Sequence, residues 1–337
     1  MNWPLHAKRV RSSRATLELN AASAAVSPAP AVDALGVCPL QRVGNTPLLR
    51  FESLARGMLH VQVLGKAEWL NPGGSVKDRA ALNIIETAQR SGALNAGKRL
   101  LDATSGNTGI AYAMVGAARG VGVTLCVPAN VSAERKRILA AYGAEIIWTD
   151  PQEGTDEAIR LARQMHQAEP DKYFYADQYS NDANWLAHYH STAAEIWSQT
   201  RGAITHFIAG VGTSGTFVGT TRRLKELNPN VRAISVQPDS AFHGLEGLKH
   251  MPTAMVPRIY DPSLADAMFE VSTEASYAMV KRMARAAGVL LGVSGGAALV
   301  AAEKVAQQAA ASDHVAVIVA VLPDSGDHYL SENFWNE

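Results

Sequence analysis

Short apolar runs alternate along the chain with stretches whose apolar residues recur at helical spacing. The runs are rich in β-branched residues and predict strands over residues 61–68, 98–104, 123–128, 144–150, 205–210, 233–238 and 316–323. Helical spacing predicts helices over 79–88, 109–120, 133–142, 155–167 and 276–287, with others starting near Thr216 and Ser294. Because this alternation is typical of parallel layers, the pattern predicts an α/β fold.

The chain is longer than a single hydrophobic core usually supports. Its 337 residues predict two domains that share a cleft. The polar stretch 177–185 marks the expected crossing, which gives an N-terminal domain over 37–185 and a C-terminal domain over 186–337. We expect about 83–185 to be mobile, with the first strands packing on the other domain. Residues 1–36 are basic and then rich in Ala, Ser and Pro, which predicts a flexible extension, or alternatively a transit peptide.

The charge and cysteine content favours small-molecule chemistry. Lys and Arg together number 31, as do Asp and Glu, so we expect neither a nucleic-acid nor a membrane partner. No apolar run reaches the ~18 residues of a membrane span. Cys38 and Cys126 lie far apart and match no metal-binding spacing. We therefore expect reduced, buried thiols in a cytoplasmic protein, and no metal site.

Lys77, in NPGGSVKDR, breaks a local rule at the start of a predicted helix. Ser75 as N-cap and Asp78 three residues later predict a capping box. A lysine in that first turn opposes the helix macrodipole, at a cost of about 0.3–1 kcal/mol if exposed. Broken local rules tend to mark functional sites, and a helix start lowers the pKa of an amine. The pattern therefore indicates a nucleophilic or Schiff-base lysine, with a solvated surface lysine as the alternative.

Two further strand-to-helix turns indicate anion binding. In LLDATSGNTGIAYA, small and hydroxyl residues leave backbone N–H groups free for a carboxylate, unless the turn is simply capped by Thr108. In HFIAGVGTSGTFVGT, the glycines admit an anion close to the backbone, and hydroxyl groups add donors. A dinucleotide site would need an acidic residue at the end of the next strand, which ends in Gln237 and Pro238. The loop therefore suits a phosphate monoester better than a pyrophosphate.

A Schiff-base lysine and a cup for a phosphate monoester together match pyridoxal phosphate, which carries an aldehyde and a phosphate on one ring. Ser294, in LLGVSGGAALV, can cap the following helix or offer a neutral hydrogen bond to that ring. NPGGSVKDR, TSGNTG, GVGTSGT and GVSGGA occur in this order and resemble the cysteine synthase family, including its B-type and O-phosphoserine-using branches. QRVGNTPLLR and LPDSGDHYLS extend the resemblance over about residues 40–331. It implies fold type II, like the tryptophan synthase β subunit, with the cofactor between two doubly wound α/β/α domains.

The resemblance also implies a role for each matching residue. Lys77 resembles the lysine that holds the cofactor and later takes the Cα proton, and Ser294 resembles the partner of the pyridine nitrogen. Asn107 resembles the residue that binds the cofactor's 3′ oxygen. The phosphate loop corresponds to Gly212, Thr213, Ser214, Gly215 and Thr216. The group that binds the substrate carboxylate corresponds to Thr104, Ser105, Thr108 and Gln178.

The reaction follows from the weak electron sink that a serine at the pyridine nitrogen provides. Loss of the Cα proton should then expel a β leaving group and give an α-aminoacrylate, to which a thiol or sulfide adds. We therefore expect L-cysteine formation from O-phosphoserine or O-acetylserine and a sulfur donor, which could be a sulfur-carrier protein. The resemblance further implies a homodimer.

The segment 237–261 departs from many O-acetylserine-using relatives because it lacks their long glycine-rich stretch. Lys249 in this segment is predicted to contact the leaving group or a substrate carboxylate, with a solvated loop as the alternative. Other nucleophiles would give cystathionine or a 2,3-diaminopropionate-type product. More distant alternatives are a Rossmann-like nicotinamide protein and a homologue without catalysis, and intact Lys77, Asn107 and Ser294 argue against the last.

Overall fold

The computed structural model describes residues 36–104 and 106–336, so the predicted extension 1–36 lies almost entirely outside the described residues. In the described part the strands are β1 (Leu48–Arg50), β2 (Val61–Ala67), β3 (Arg99–Ala103), β4 (Val123–Pro128), β5 (Glu145–Thr149), β6 (Tyr173–Tyr175), β7 (His206–Gly210), β8 (Arg232–Pro238), β9 (Ala267–Val271) and β10 (Ala316–Leu322). The α-helices are α1 (Lys77–Arg90), α2 (Asn107–Arg119), α3 (Ala133–Ala141), α4 (Gly154–Ala168), α5 (Asp182–Ala187), α6 (Ala193–Gln199), α7 (Gly215–Leu227), α8 (Thr273–Ala287) and α9 (Val293–Ala311). A π-helical turn, His188–Thr192, joins α5 to α6. None of the described helices is both long and apolar enough to cross a membrane.

Two sheets organise the residues from Cys38 onward, which form one compact unit. The larger sheet has the strand order β1-β2-β10-β7-β8-β9 and the smaller has the order β5-β4-β3-β6. Every pairing is parallel except that of β1 with β2. The predicted α/β fold with parallel sheets is therefore confirmed. The division at residue 185 and the mobility of 83–185 stay predictions.

Helices cover both faces of the smaller sheet because its strands are apolar on both faces. Leu100 of β3 packs with Ile84 and Tyr112, whereas its neighbour Leu101 packs on the opposite face with Ile159. Successive side chains of a strand point to opposite faces, so a continuous apolar run gives a strand that is buried on both sides. Fully burying each such leucine contributes about 1.5–3 kcal/mol.

The larger sheet follows the same rule. Ile318 and Leu322 of β10 lie in the core beneath α8 and α9, and Val319 and Val321 lie in the core on the α7 face. β10 is therefore a central strand that is buried on both faces, and its carboxyl end lies between those of β2 and β7.

Three short strands, β1, β6 and β9, were not predicted from the sequence. Each lies at an edge of its sheet and is paired on one side only. β1 and β6 have only three residues each, and exposed residues interrupt β9, so none of the three has the longer apolar run that identifies a central strand. Two other expectations also need correction: α5 begins inside the expected crossing, at Asp182, and the Cys38 thiol is exposed while Cys126 is buried as expected.

A buried cluster of four charged side chains anchors α1 to its surroundings. Arg79 donates from Nε and Nη2 to the two carboxylate oxygens of Glu68, at 2.7 and 2.8 Å. It also donates to both oxygens of Glu195, each at 2.7 Å. Lys66 adds a contact of 2.6 Å to Glu195. Because every charge in the cluster faces an opposite charge, the group is tolerated in the core and fixes the helix that begins at Lys77.

Candidate active site

The chain segment after β10 holds the starts of two helices side by side. The N–H group of Val76 donates to the Pro323 carbonyl at 2.8 Å, and Ser75 forms a bridge with Asp324. The N–H group of Gly292 donates to the Asp324 carbonyl at 3.1 Å. These contacts place α1, which begins at Lys77, next to α9, whose first turn carries Ser294. Carboxyl ends of parallel strands are the usual place for ligand sites.

The predicted capping box at the start of α1 is wrong. The helix begins at Lys77, and the Ser75 hydroxyl accepts from the Lys77 N–H at 3.3 Å. Asp78 accepts a hydrogen bond from the N–H of Gly73 instead of Ser75. The tight turn before the helix folds Gly73 against this carboxylate, since a Cβ on Gly73 would lie 2.5 Å from Asp78 Oδ1. Burial raises the pKa of Asp78 to about 7.

Lys77 lines two adjoining cavities, an outer one of about 350 Å³ and an inner one of about 40 Å³. Burial lowers the pKa of Lys77, and the Asp324 carboxylate opposes part of this shift. Asn107, Gly212 and Thr213 also line both cavities. The predicted lysine therefore lies where the two cavities meet.

The inner cavity is lined by hydroxyl groups from two helix starts. Thr213, Ser214 and Thr216 approach it from the start of α7, and Ser294 approaches it from α9. Ser214 has a backbone φ of 70°, and its buried hydroxyl has no hydrogen-bond partner among the described residues. A left-handed conformation is uncommon for a residue other than glycine and often marks a functional loop.

Glycines let other chain segments approach this loop closely. A Cβ on Gly212 would lie 2.1 Å from the Gly247 carbonyl oxygen, so no side chain fits at that position. Gly215, the first residue of α7, does not line either cavity, and it packs against Asn184, whose Oδ1 lies 2.0 Å from the position of a Cβ. Gly212 therefore shapes the cavity wall, whereas Gly215 shapes the packing behind the loop.

The outer cavity brings together three of the four residues expected to bind a substrate carboxylate. Thr104, Thr108 and Gln178 line it, whereas Ser105 lies outside the described residues. Thr104 Oγ1 accepts from the N–H groups of Gly106 and Gly109, each at 3.2 Å, and so caps α2. Thr108 donates to Gln178 Oε1 at 2.8 Å, which ties the start of α2 to the segment after β6.

Lys249 also lines the outer cavity. Its Nζ lies 3.7 Å from Asp156 Oδ1 and 5.2 Å from the centre of the Tyr179 ring. Burial lowers the pKa of Lys249, and Asp156 acts against that shift. A mostly buried cation with one weak, long ion pair is available to an anionic ligand.

Sequence reasoning missed two acidic residues of the site. The buried carboxylate of Asp324 accepts hydrogen bonds from Asn107 Nδ2 and from the Tyr329 hydroxyl, each at 2.7 Å. A polar residue directly after a buried central strand is a signal that could have found Asp324. Glu246 lines both cavities and forms an ion pair with Arg135, but it lies in a loop whose position no local pattern predicts.

Comparison with known proteins identifies the family. The family model described as pyridoxal-phosphate dependent enzyme matches residues 40–324. A cysteine synthase of Aquifex aeolicus is 49% identical over 300 residues, which is 88% of this chain and 92% of that protein. Cysteine synthase B of Pseudomonas aeruginosa is 41% identical over 87% of this chain and 96% of that protein. A crystal structure of a cysteine synthase from Entamoeba histolytica superposes with a TM-score of 0.85 at 32% identity, covering 93% of this chain and 94% of that one.

Proposed function

Because this chain belongs to the family of pyridoxal-phosphate-dependent enzymes, and within it to the cysteine synthases, we propose that it forms L-cysteine by β-replacement on an O-activated L-serine. The family assignment confirms the fold type II class and the cofactor, and it decides against the nicotinamide interpretation of the glycine-rich loop. The observation that carries the proposal is the meeting of Lys77, Asn107, Ser294 and the loop at the start of α7 around one pair of joined cavities.

The residues of the inner cavity fit pyridoxal phosphate. The Ser214 hydroxyl and Asn107 Oδ1 are buried without a partner among the described residues, so both have hydrogen-bonding capacity for a bound group. We assign the phosphate to the hydroxyl and N–H groups at the start of α7, where the helix dipole favours an anion. We assign the ring to the place where the two cavities meet, between Asn107, which lines both, and Ser294, which lines the inner one.

The chain's own residues then divide the chemistry between the two cavities. When bound, the cofactor withdraws electrons from the substrate Cα, which permits loss of the Cα proton and of the group on Cβ. Lys77 takes that proton, since burial lowers the pKa of its amine and so increases its neutral fraction. We assign the substrate carboxylate to the start of α2, where Thr104, Thr108 and Gln178 line the outer cavity. The neutral Ser294 hydroxyl keeps the electron sink weak, which favours β-replacement over transamination.

Cysteine formation by the purified protein tests this proposal. The protein is incubated with pyridoxal phosphate, sulfide and either O-phospho-L-serine or O-acetyl-L-serine, and L-cysteine is measured by mass spectrometry. We expect cysteine with at least one donor. No cysteine with either donor, from protein that has bound the cofactor, would contradict the proposal.

Gly212→Ala is expected to weaken cofactor binding by at least about tenfold, since a displaced loop loses hydrogen bonds worth about 1 kcal/mol each. The added methyl group would meet the Gly247 carbonyl oxygen at 2.1 Å and push the loop out of place. Cofactor titration followed by absorbance measures the dissociation constant. Gly97→Ala is the matched control, because the nearest atom to its Cβ is 3.5 Å away. Equal affinity in the two variants would contradict the assignment of the loop.

The position of Lys249 favours O-phosphoserine as the activated serine that this protein uses. It is a mostly buried cation on the outer cavity, and the Asp156 carboxylate at 3.7 Å can be exchanged for a phosphate leaving group. Charge-assisted hydrogen bonds to phosphate are stronger than those to a neutral ester. The proposal therefore includes Lys249 as the residue that binds the leaving phosphate.

Lys249→Ala is expected to lower kcat/KM for O-phospho-L-serine by about tenfold to a hundredfold, the value of one hydrogen bond to a charged group. The same variant should change kcat/KM for O-acetyl-L-serine by less than about threefold, since the acetyl group is neutral. Steady-state rates with both donors measure the difference. An equal loss with both activated serines would show that Lys249 does not recognise the leaving phosphate.

A further inference from the structure

A layer of side chains lies directly behind the phosphate loop, on α5 and the π-helical turn that follows it. Asn184 and His188 are four residues apart on this segment, and each is 2% exposed. A Cβ on Gly219 of α7 would lie 2.0 Å from the Trp185 carbonyl oxygen, so α5 packs against α7 without any space between them. π-Helical turns within longer helices are rare and often mark functional sites.

Asn184 fixes one hydroxyl of the loop. Its Nδ2 donates to the backbone carbonyl of Gln178 at 2.7 Å and to Thr213 Oγ1 at 3.0 Å. A backbone carbonyl can only accept, so the orientation of the Asn184 side-chain amide is determined. Both Nδ2 hydrogens of Asn184 are used in these two bonds. Because the Thr213 oxygen accepts, its hydroxyl hydrogen is free to donate into the inner cavity.

His188 contacts the hydroxyl of Thr216, as Asn184 contacts that of Thr213. Its Nε2 lies 3.3 Å from Thr216 Oγ1, and its Nδ1 lies 2.9 Å from Thr192 Oγ1. Burial lowers the pKa of His188 to about 3, and the cations Arg79 and Lys77 act in the same direction against Glu68 and Glu195. The imidazole is therefore neutral at physiological pH, with one donor nitrogen and one acceptor nitrogen.

We propose that His188 is a positioning residue for the cofactor's phosphate, and that the chain Thr192–His188–Thr216 sets the direction of the Thr216 hydroxyl. In the tautomer that we propose, the Thr192 hydroxyl donates to Nδ1, and Nε2 carries the hydrogen and donates to the Thr216 oxygen. The single hydroxyl hydrogen of Thr216 then points into the inner cavity, and each bond of the chain polarises the next. This inference rests on the proposed placement of the phosphate at the start of α7.

His188→Leu and His188→Gln in the full-length protein test the proposal. We expect His188→Leu to raise the dissociation constant of pyridoxal phosphate about tenfold, the equivalent of one lost hydrogen bond, and to shift the phosphorus-31 resonance of the bound cofactor. His188→Gln places an amide donor near the position of Nε2, so its dissociation constant should stay within about threefold of the wild-type value. His190→Leu is the matched control, since His190 lies on the same turn but is exposed, and it should change neither quantity.

Three outcomes would overturn the positioning role. These are an unchanged dissociation constant and resonance in His188→Leu, an equal loss in His188→Gln and His188→Leu, and an equal loss in His190→Leu. If His188→Leu fails to fold, Thr192→Val removes the donor to Nδ1 without changing the side-chain shape, and an unchanged resonance there also overturns the proposal. A wild-type protein that binds no pyridoxal phosphate would instead overturn the proposed function.

Discussion

Lys77→Ala is expected to lower the rate of cysteine formation by at least about 10³-fold, since the variant loses both the covalent attachment of the cofactor and the general base. The inner cavity remains lined by the α7 loop and Ser294, so the variant should still bind pyridoxal phosphate. Single-turnover assays with sulfide and each activated serine measure the rate.

Lys172→Ala is the matched control for this change, because Lys172 is exposed and lines neither cavity. Its rate should equal that of the wild type. A Lys77→Ala protein that is folded, by circular dichroism, and retains more than about a tenth of the wild-type rate would remove Lys77 from the catalytic role, since loss of a general base alone costs about 10²–10⁴-fold.

Arg79→Met is expected to lower the free energy of unfolding by about 3–5 kcal/mol, because it leaves a buried carboxylate without its counter-charge. Glu68 is fully buried, and burial alone would raise its pKa, but Arg79 holds that pKa below its ordinary value. Removing the guanidinium therefore takes away the main counter-charge of this carboxylate, which keeps only the hydrogen bonds from Thr46 and Asn71 and the more distant charge of Lys66. Urea unfolding at neutral pH measures the loss.

Two further variants separate this effect from general damage. Arg50→Met removes an exposed arginine whose partner Glu52 is also exposed, and it should change stability by less than about 0.5 kcal/mol. Adding Glu68→Met to Arg79→Met should recover part of the loss, since it removes the unpaired charge. A double variant that is less stable than Arg79→Met would show that packing, rather than unpaired charge, dominates.

The features predicted correctly from the sequence are those that depend on residues close together in the chain. Central strands such as β3 and β10 are apolar on both faces, and Lys77, Asn107 and Ser294 lie at strand-to-helix turns, where small residues, hydroxyl groups and a misplaced charge are visible in the sequence. β1, β6 and β9 were missed because they are very short or interrupted by exposed residues, whereas the edge strand β5 was predicted.

The rest of the site depends on contacts between distant segments. Asp78 accepts from Gly73 and not from Ser75, which only the folded turn reveals. His188 contacts Thr216 from a helical segment, and Glu246 lines the cavities from a loop, and no local sequence pattern marks either residue.

The visible absorption spectrum of the purified protein with bound pyridoxal phosphate distinguishes cysteine synthesis from the other reactions. It is recorded before and after adding O-phospho-L-serine or O-acetyl-L-serine, and again after adding sulfide. We expect at least one of the two activated serines to shift the cofactor band. Sulfide should then restore the original band, with release of one L-cysteine per site. A band that neither activated serine changes would contradict the proposed synthesis of cysteine. So would a shifted band that returns only when an amine is added in place of sulfide.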